Sequence, residues 1–471
     1  MRNPRRLSIP IRLERDPARA LQDQLADQLR AAIDGGRMAA GTRIPSTRTM
    51  AGILGVSRGV VVSAYETLFA QGYVTGRSGS GTYVAGDRTP APLPSLRHAP
   101  APASREAQAP ISMHPDRPSA RNFPLAAWRA AWRHASHDAP PVEELHPAGL
   151  PALRAAVAEH LRETRGLVLD EHEVIITAGF SQALQLVVLG LGKAGAGVAL
   201  ENPAPLTIRT ALAGLARVLP VPVDARGARP DQIPRNADVF LTMPERNDPL
   251  GARMSPDRRH AVAGWAARHG GLVLEPGFDG LFNAGVGPLP SIMALGEARN
   301  TAMIGTFNGI LTPTLRLAYL VVPRGLAHAI QTRIAVGREQ PSYLCQRAMA
   351  DLLTSGCVTR RADLLTRLYA AKRMLVRHAL EPLPGLRLLG AATGSAVTML
   401  LPDRVRAADF QRTLRGRGLL VTDLARYHHP DAPSRNGLVL GYGHLDEMTL
   451  RRALRLLTGA LRDHGLARRA A

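Results

Sequence analysis

Cysteine is nearly absent: Cys345 and Cys357 are the whole complement. Two thiols exclude a disulfide framework and any multi-cysteine metal site, and they suit a reducing cytoplasm. Lysine is equally scarce. Of 59 basic residues only Lys193 and Lys372 are lysines, and the other 57 are arginines. Aromatic residues make up 4% of the chain. With abundant Ala, Gly and Pro, this skew has the look of a GC-rich genome, so coding bias accounts for part of the formal charge of +21. Long apolar runs are missing too. The longest, Phe180 to Gly192, is interrupted by glutamine and ends at Lys193. A membrane helix needs ~18 uncharged residues, so none is expected. The arginine-rich start lacks the apolar segment of a secretory signal.

What is present is ordinary for a globular protein: 45% hydrophobic and 21% charged residues. A length of 471 residues predicts about three folded units at ~150 residues each. The positive balance favours polyanionic partners, nucleic acid first. Three blocks are visible. Residues 1–86 alternate short helical patterns with turn signals. Residues 87–111 carry Pro90, Pro92, Pro94, Pro100, Pro102 and Pro110 among Ala and Ser, a composition that resists helix and sheet and predicts a semi-extended linker. From residue 112 β-rich runs alternate with helical runs, as in an α/β domain. Those runs are Val174–Thr177, Val198–Glu201, Val239–Met243, Leu272–Glu275, Ala302–Thr306 and Ala318–Val322. From about residue 340 the pattern turns helical, with strands near Val397–Leu401 and Gly437–Gly441 and an amphipathic helix last. This divides the chain into 112–340 and a smaller 341–471.

The first block predicts a winged helix-turn-helix. Asp16-Pro17 opens a helix carrying Leu21, Leu25, Leu29 and Ile33, and Gly35-Gly36 stops it. A second helix follows Pro45-Ser46 with Met50, Ile53 and Leu54 inward. Gly55-Val56 turns, and Ser57 caps a third helix whose Val61, Ala64, Tyr65 and Leu68 form a buried stripe. Tyr73–Thr75 and Thr82–Val84 pair as strands around a Gly-rich tip at residues 77–81. The third helix would present Ser57, Arg58, Gly59 and Val62 at its start, where a recognition helix meets base edges. An arginine there bonds guanine bidentately. The block holds 12 Arg against 6 Asp plus Glu, which suits phosphate contact.

The stretch from Gly35 to Arg48, then Leu54-Gly55-Val56-Ser57-Arg58, Tyr65-Glu66-Thr67-Leu68 and Gly81-Thr82-Tyr83-Val84, resembles the GntR family of regulators. The resemblance implies DNA contacts from Arg48, Ser57, Arg58 and Gly79. Further on, Phe123-Pro124-Leu125-Ala126-Ala127-Trp128, His146-Pro147-Ala148-Gly149 and Thr177 to Leu184 resemble the aminotransferase-like half of MocR regulators, which fuse a GntR reader to a pyridoxal-phosphate (PLP) domain. It spans roughly 115–460. It implies a fold-type I large domain with a central, mostly parallel sheet, a smaller α+β C-terminal domain, and a homodimer.

PLP chemistry demands a lysine for the Schiff base, a carboxylate at the ring nitrogen, a group bracketing the ring, and an anion cradle for the phosphate. The family motif Gly-Thr-Phe-Ser-Lys reads Gly305-Thr306-Phe307-Asn308-Gly309 here, so glycine stands where the resemblance expects lysine. The expected carboxylate position is Pro276, and the ring-oxygen tyrosine is Phe278, with Glu275 and Asp279 as neighbouring carboxylates. Pro205 replaces the stacking aromatic, and Arg246-Asn247 replace a His-Gln pair. The cradle partly survives as Gly179, Phe180, Ser181 and Arg316. The expectation is a DNA-binding regulator, not an enzyme, with no covalent cofactor. PLP or another phosphorylated ligand would bind non-covalently. The partners would be a double-stranded operator, a small-molecule effector and a second copy, at the nucleoid and not a membrane. The alternatives are a working aminotransferase with a DNA-binding appendage, or a ligand-free dimerisation scaffold. His428-His429-Pro430 is expected in a solvated loop, because adjacent histidines diverge and no further metal ligand is spaced nearby.

Overall fold

A computed structural model describes residues 9–14, 20–77, 81–85, 109–115, 117–137, 139–277, 282, 289–295 and 299–466. The chain forms two compact units, Met1–Arg105 and Glu106–Ala471.

The first unit runs α1 (Leu21–Asp34), β1 (Arg43–Ile44), α2 (Thr47–Leu54), α3 (Arg58–Ala70), β2 (Val74–Arg77) and β3 (Gly81–Val84). Each junction has a local cause. Ser46 and Ser57 cap α2 and α3, their side chains accepting from the amides of Thr49 and Val60. Gly55 ends α2 in the left-handed region, at φ 64°. Leu25, Leu29, Met50, Val61, Ala64, Tyr65 and Leu68 close one core. The Tyr65 hydroxyl donates to Pro45 O at 2.8 Å, which ties α3 to the start of α2. Ile53, expected inward, is 46% exposed. Helix α1 begins at Leu21 with Ala20 as its extended N-cap, later than the expected opening at Asp16-Pro17, which itself lies outside the described residues.

The second unit begins with β4 (Ile111–Ser112), α4 (Leu125–Ala135), α5 (Pro151–Arg165), β5 (His172–Thr177), α6 (Phe180–Gly190), β6 (Ala196–Asn202), α7 (Leu206–Leu212), β7 (Ala216–Asp224) and β8 (Gly227–Ala228). It continues with β9 (Val239–Leu241), α8 (Pro256–His269), β10 (Leu272–Pro276), β11 (Thr301–Thr306), β12 (Ala318–Pro323), α9 (Arg324–Gly337), α10 (Tyr343–Thr354) and α11 (Cys357–Leu380). It ends with β13 (Arg387–Leu389), β14 (Ala396–Leu400), α12 (Ala407–Gly416), β15 (Leu419–Leu420), β16 (Thr422–Asp423), β17 (Gly437–Gly441) and α13 (Glu447–Asp463).

An eight-stranded sheet has the order β5-β12-β11-β10-β9-β6-β7-β8. Strand β12 is antiparallel to both neighbours, so β5 runs with β11, β10, β9, β6 and β7. The central strands are buried throughout and read as continuous apolar runs, because helices cover both faces. Helices α4, α5, α10 and α11 pack on one face; α6, α7 and α9 pack on the other. A four-stranded sheet, β13-β14-β17-β16, carries α12 and α13. The unit is thus α/β with a mostly parallel sheet and a smaller α+β portion.

Two elements differ from the sequence reading. Strand β7 is not apparent in the sequence because Pro220 and Pro222 argue against a strand. They share one parity, so the missing N–H groups fall on a single edge of β7 and leave its ladder with β6 intact. Ile111, expected to end the linker, instead starts β4, which pairs in parallel with β15.

Candidate functional site

In the first unit, the starts of α2 and α3 converge. Arg48 is the second residue of α2 and Arg58 the first of α3, and both are exposed. Arg58 Nε donates to Thr47 Oγ1 at 3.4 Å, so the two helix starts share one polar edge. Ser57 Oγ accepts from Val60 N at 3.5 Å. Arg48, Ser57 and Arg58 therefore lie together. Gly79 lies outside the described residues.

In the second unit, the carboxyl ends of the parallel strands lie along one edge of the sheet, where open α/β sheets bind ligands. Register brings the predicted cradle together there. Ala318 pairs with Thr177 on one side and with Thr306 on the other. Gly179, two residues past Thr177, Arg316, two before Ala318, and Gly309, three past Thr306, thus share that edge. Gly179 adopts φ 103° as the N-cap of α6, leaving the first amides of Phe180 and Ser181 at a helix start. Thr177 is fully buried, and its Oγ1 has no hydrogen-bond partner among the described residues. Arg316 is exposed, at φ 47°. One feature opposes an anion. Gln182 accepts from Ala178 N at 2.6 Å and holds the exposed Glu339 carboxylate at 3.3 Å, which brings negative charge to the same helix start.

The segments matched to the ring site are engaged in internal bonds, beginning with Glu201 at the end of β6. Glu201 is 2% exposed. Its carboxylate accepts from Thr242 Oγ1 at 2.5 Å, Met243 N at 2.8 Å and Asn247 Nδ2 at 2.6 Å. Burial pushes its pKa up, and those three bonds pull it down. Asn247 is thereby consumed. Arg246 is buried and donates to Ala396 O at 2.8 Å, crossing from the loop after β9 to β14. A Cβ at Gly394 would lie 2.6 Å from its Nε, so the guanidinium packs flat on glycine backbone. Pro205 caps α7, and the neighbouring Ala204 amide donates to Tyr427 O at 3.0 Å. At the end of β10, Pro276 is buried. Glu275 is also buried and accepts from Met293 N at 2.9 Å; burial pushes its pKa up. Phe278 and Asp279 lie outside the described residues. A Schiff-base cofactor does not fit these residues: no lysine faces this edge, and the ring-binding groups serve internal bonds.

The family model for bacterial regulatory proteins of the gntR family matches residues 21–84. Over 454 residues the chain is 33% identical to the HTH-type pyridoxine biosynthesis transcriptional regulator PdxR of Corynebacterium glutamicum, covering 96% of this chain and 98% of that protein. The chain belongs to the MocR/PdxR-type GntR regulators. The regulator is also 30% identical to the probable rhizopine catabolism regulatory protein MocR of Rhizobium meliloti, with 95% of each chain covered. A vitamin B6 salvage pathway transcriptional repressor, PtsJ of Salmonella typhimurium, is 25% identical over 85% of the regulator and 90% of that protein. Among solved structures, the multiple substrate aminotransferase of Thermococcus profundus matches with a TM-score of 0.70 at 20% identity, over 76% of the regulator and 93% of that chain. That likeness shows the fold alone. The regulator is a DNA-binding transcriptional regulator with an aminotransferase-like unit, and no helix among its described residues is long and apolar enough to cross a membrane.

Both lysines of the regulator are accounted for elsewhere. Lys193 Nζ pairs with Asp238 at 2.6 Å. Asp238 precedes β9, so Lys193 lies at the amino ends of the strands, opposite the cradle. Lys372 is buried in α11 and donates to Gly443 O at 2.6 Å.

His428 corrects the expectation of a solvated loop. It is 5% exposed, its Nε2 accepts from Arg435 N at 3.2 Å, and its Nδ1 has no partner among the described residues. Arg209 on α7 holds this loop by donating to the carbonyls of Arg426, Tyr427 and His428. Burial, then Arg435 and Arg209, lower the His428 pKa to about 4. The unfolded value is ~6.5. Stability is therefore fully present above pH 6.5 and falls as pH drops toward 4, by about 1–3 kcal/mol at most. His428→Gln is expected to flatten that part of the pH–melting curve. An unchanged difference between the two proteins from pH 7 to pH 4.5 would contradict it.

Proposed function

We propose that the regulator binds its operator as a homodimer through Arg48, Ser57, Arg58 and Gly79, and that its aminotransferase-like unit performs no transamination. The observation that carries the reading is the engagement of Glu201, Asn247 and Arg246 in internal bonds at a strand edge that lacks a lysine. Gly309 has no amine to offer the aldehyde, so the covalent step has no nucleophile. The two readers of a dimer would recognise paired half-sites, direct or inverted, with a spacing set by residues 87–111. The ligand reading is a phosphorylated B6 vitamer held non-covalently by Gly179, Phe180, Ser181 and Arg316. The helix start with its buried Thr177 hydroxyl supports this, as do the vitamin B6 names of two relatives.

The test is a PLP titration followed by thermal melting and visible absorbance together. Melting is expected to rise without a Schiff-base band. At ~100 times Kd the gain is about 2.7 kcal/mol. A yellow, borohydride-reducible adduct would overturn the non-covalent reading. No shift in either signal removes PLP as the effector and leaves a dimerisation scaffold for the reader.

A further inference from the structure

We propose that Arg43 is a wing-borne phosphate contact that grips DNA from the outer face of the small sheet while α3 occupies the major groove. The inference rests on the DNA-binding reading above and adds a residue that the helix-turn-helix does not supply. Strand β1 is an edge of the sheet β1-β3-β2. Ile44 points into the core and is 3% exposed, so Arg43 points to the opposite face, where it is exposed. Arg43 lies directly across from Tyr83, and its guanidinium carbon is 6.0 Å from the Tyr83 ring centroid. From there the side chain runs over Gly81, the first residue of β3. A Cβ at Gly81 would meet Arg43 Nε at 2.9 Å and Nη2 at 3.2 Å. The guanidinium thus lies on bare backbone at the tip end of the β2–β3 ladder.

Three physical points make this a binding group and not a solvated charge. Among the described residues no carboxylate pairs with Arg43, so its donors are left for an external acceptor. The Tyr83 ring and the Gly81 backbone hold the guanidinium in one direction, which reduces the entropy lost on contact. A guanidinium fork matches phosphate oxygens bidentately. Phosphate contacts of this kind fix register without reading sequence, so the loss on removal is uniform across sequences.

The experiment uses the full chain and a random-sequence DNA duplex, with anisotropy titrations across ~50–200 mM salt. Arg43→Ala is expected to bind roughly tenfold more weakly. Its log K against log salt slope should shrink by about 0.9 per reader, the value of one neutralised phosphate. Arg43→Lys keeps a point charge and should keep the slope. Arg43→Gln stands in for Arg43→Ala if the alanine chain does not melt like the parent. Unchanged affinity and slope overturn the proposal. So does weaker binding at unchanged slope, which would make Arg43 a packing residue for Tyr83. Arg58→Ala, measured beside Arg43→Ala on an operator selected from a random pool, separates the two readings. If it too binds unchanged, the docking of α3 fails; if it weakens while Arg43→Ala does not, only the wing contact fails.

Discussion

Arg361→Ala lowers the unfolding free energy of the C-terminal unit by about 3–4 kcal/mol, the largest single-residue effect expected on stability. Arg361 is 3% exposed on α11. Its Nη1 donates to Arg121 O at 2.6 Å and Asn122 O at 2.9 Å, and its Nη2 donates to Ser119 O at 2.5 Å. Its Nε reaches Ile310 O at 3.4 Å, and its guanidinium carbon is 5.9 Å from the Phe123 ring centroid. One side chain therefore satisfies four carbonyls and binds residues 119–123 to the segment that carries Gly309. Truncation leaves those carbonyls desolvated and opens a cavity, and both costs add. Urea unfolding measures the result as a shift in midpoint at constant slope. A loss under ~1 kcal/mol would mean that water replaces the guanidinium, and that this anchor is not what orders the loop.

Arg58→Ala costs about 1–3 kcal/mol of operator affinity, or roughly 5- to 150-fold. The warrant is position. Ser57 caps α3 through its own hydroxyl, so Arg58 begins the helix with its side chain exposed and, among the described residues, a single long bond to Thr47. Removing Arg58 leaves the cap and the buried stripe of α3 untouched, so melting of the first unit should not change. An operator selected from a random pool supplies the probe. The variant should lose discrimination at one base pair of each half-site, whereas a phosphate contact would lose affinity on every sequence alike. A footprint on the same operator with unchanged affinity would refute the assignment.

The features legible in the sequence are those with local causes. Ser57 announces the start of α3, and Val61, Ala64, Tyr65 and Leu68 repeat at helical spacing; the structure buries all four. Strand β17 occupies Gly437–Gly441 as read, because a short apolar run bounded by glycine leaves little choice of register. Helical periodicity alone places Ile53 inward, but over one short helix it cannot tell the rim of the core from its centre. Strand β7 is not legible in the sequence because proline counts against a strand wherever it falls, and only the neighbouring strand shows which edge it faces.

By itself, the sequence determined the winged helix-turn-helix, the alternation that makes an α/β unit, and the glycine at position 309 where the family expects lysine. These follow from capping, periodicity and residue identity, which act over a few residues. Only the tertiary structure decided what the altered site does with its remaining polar groups. Glu201 meets Asn247 across 46 positions, Arg246 meets Ala396 across 150, and Arg361 meets Ser119 across 242. Nothing local marks such pairs. Each forms because a charge or amide buried by the fold must find its partner within hydrogen-bond reach, and the packing of the two sheets settles which partner that is. Arg43 over Gly81 is the same lesson on the surface: strand pairing placed the guanidinium beside the one residue type that lets it lie flat.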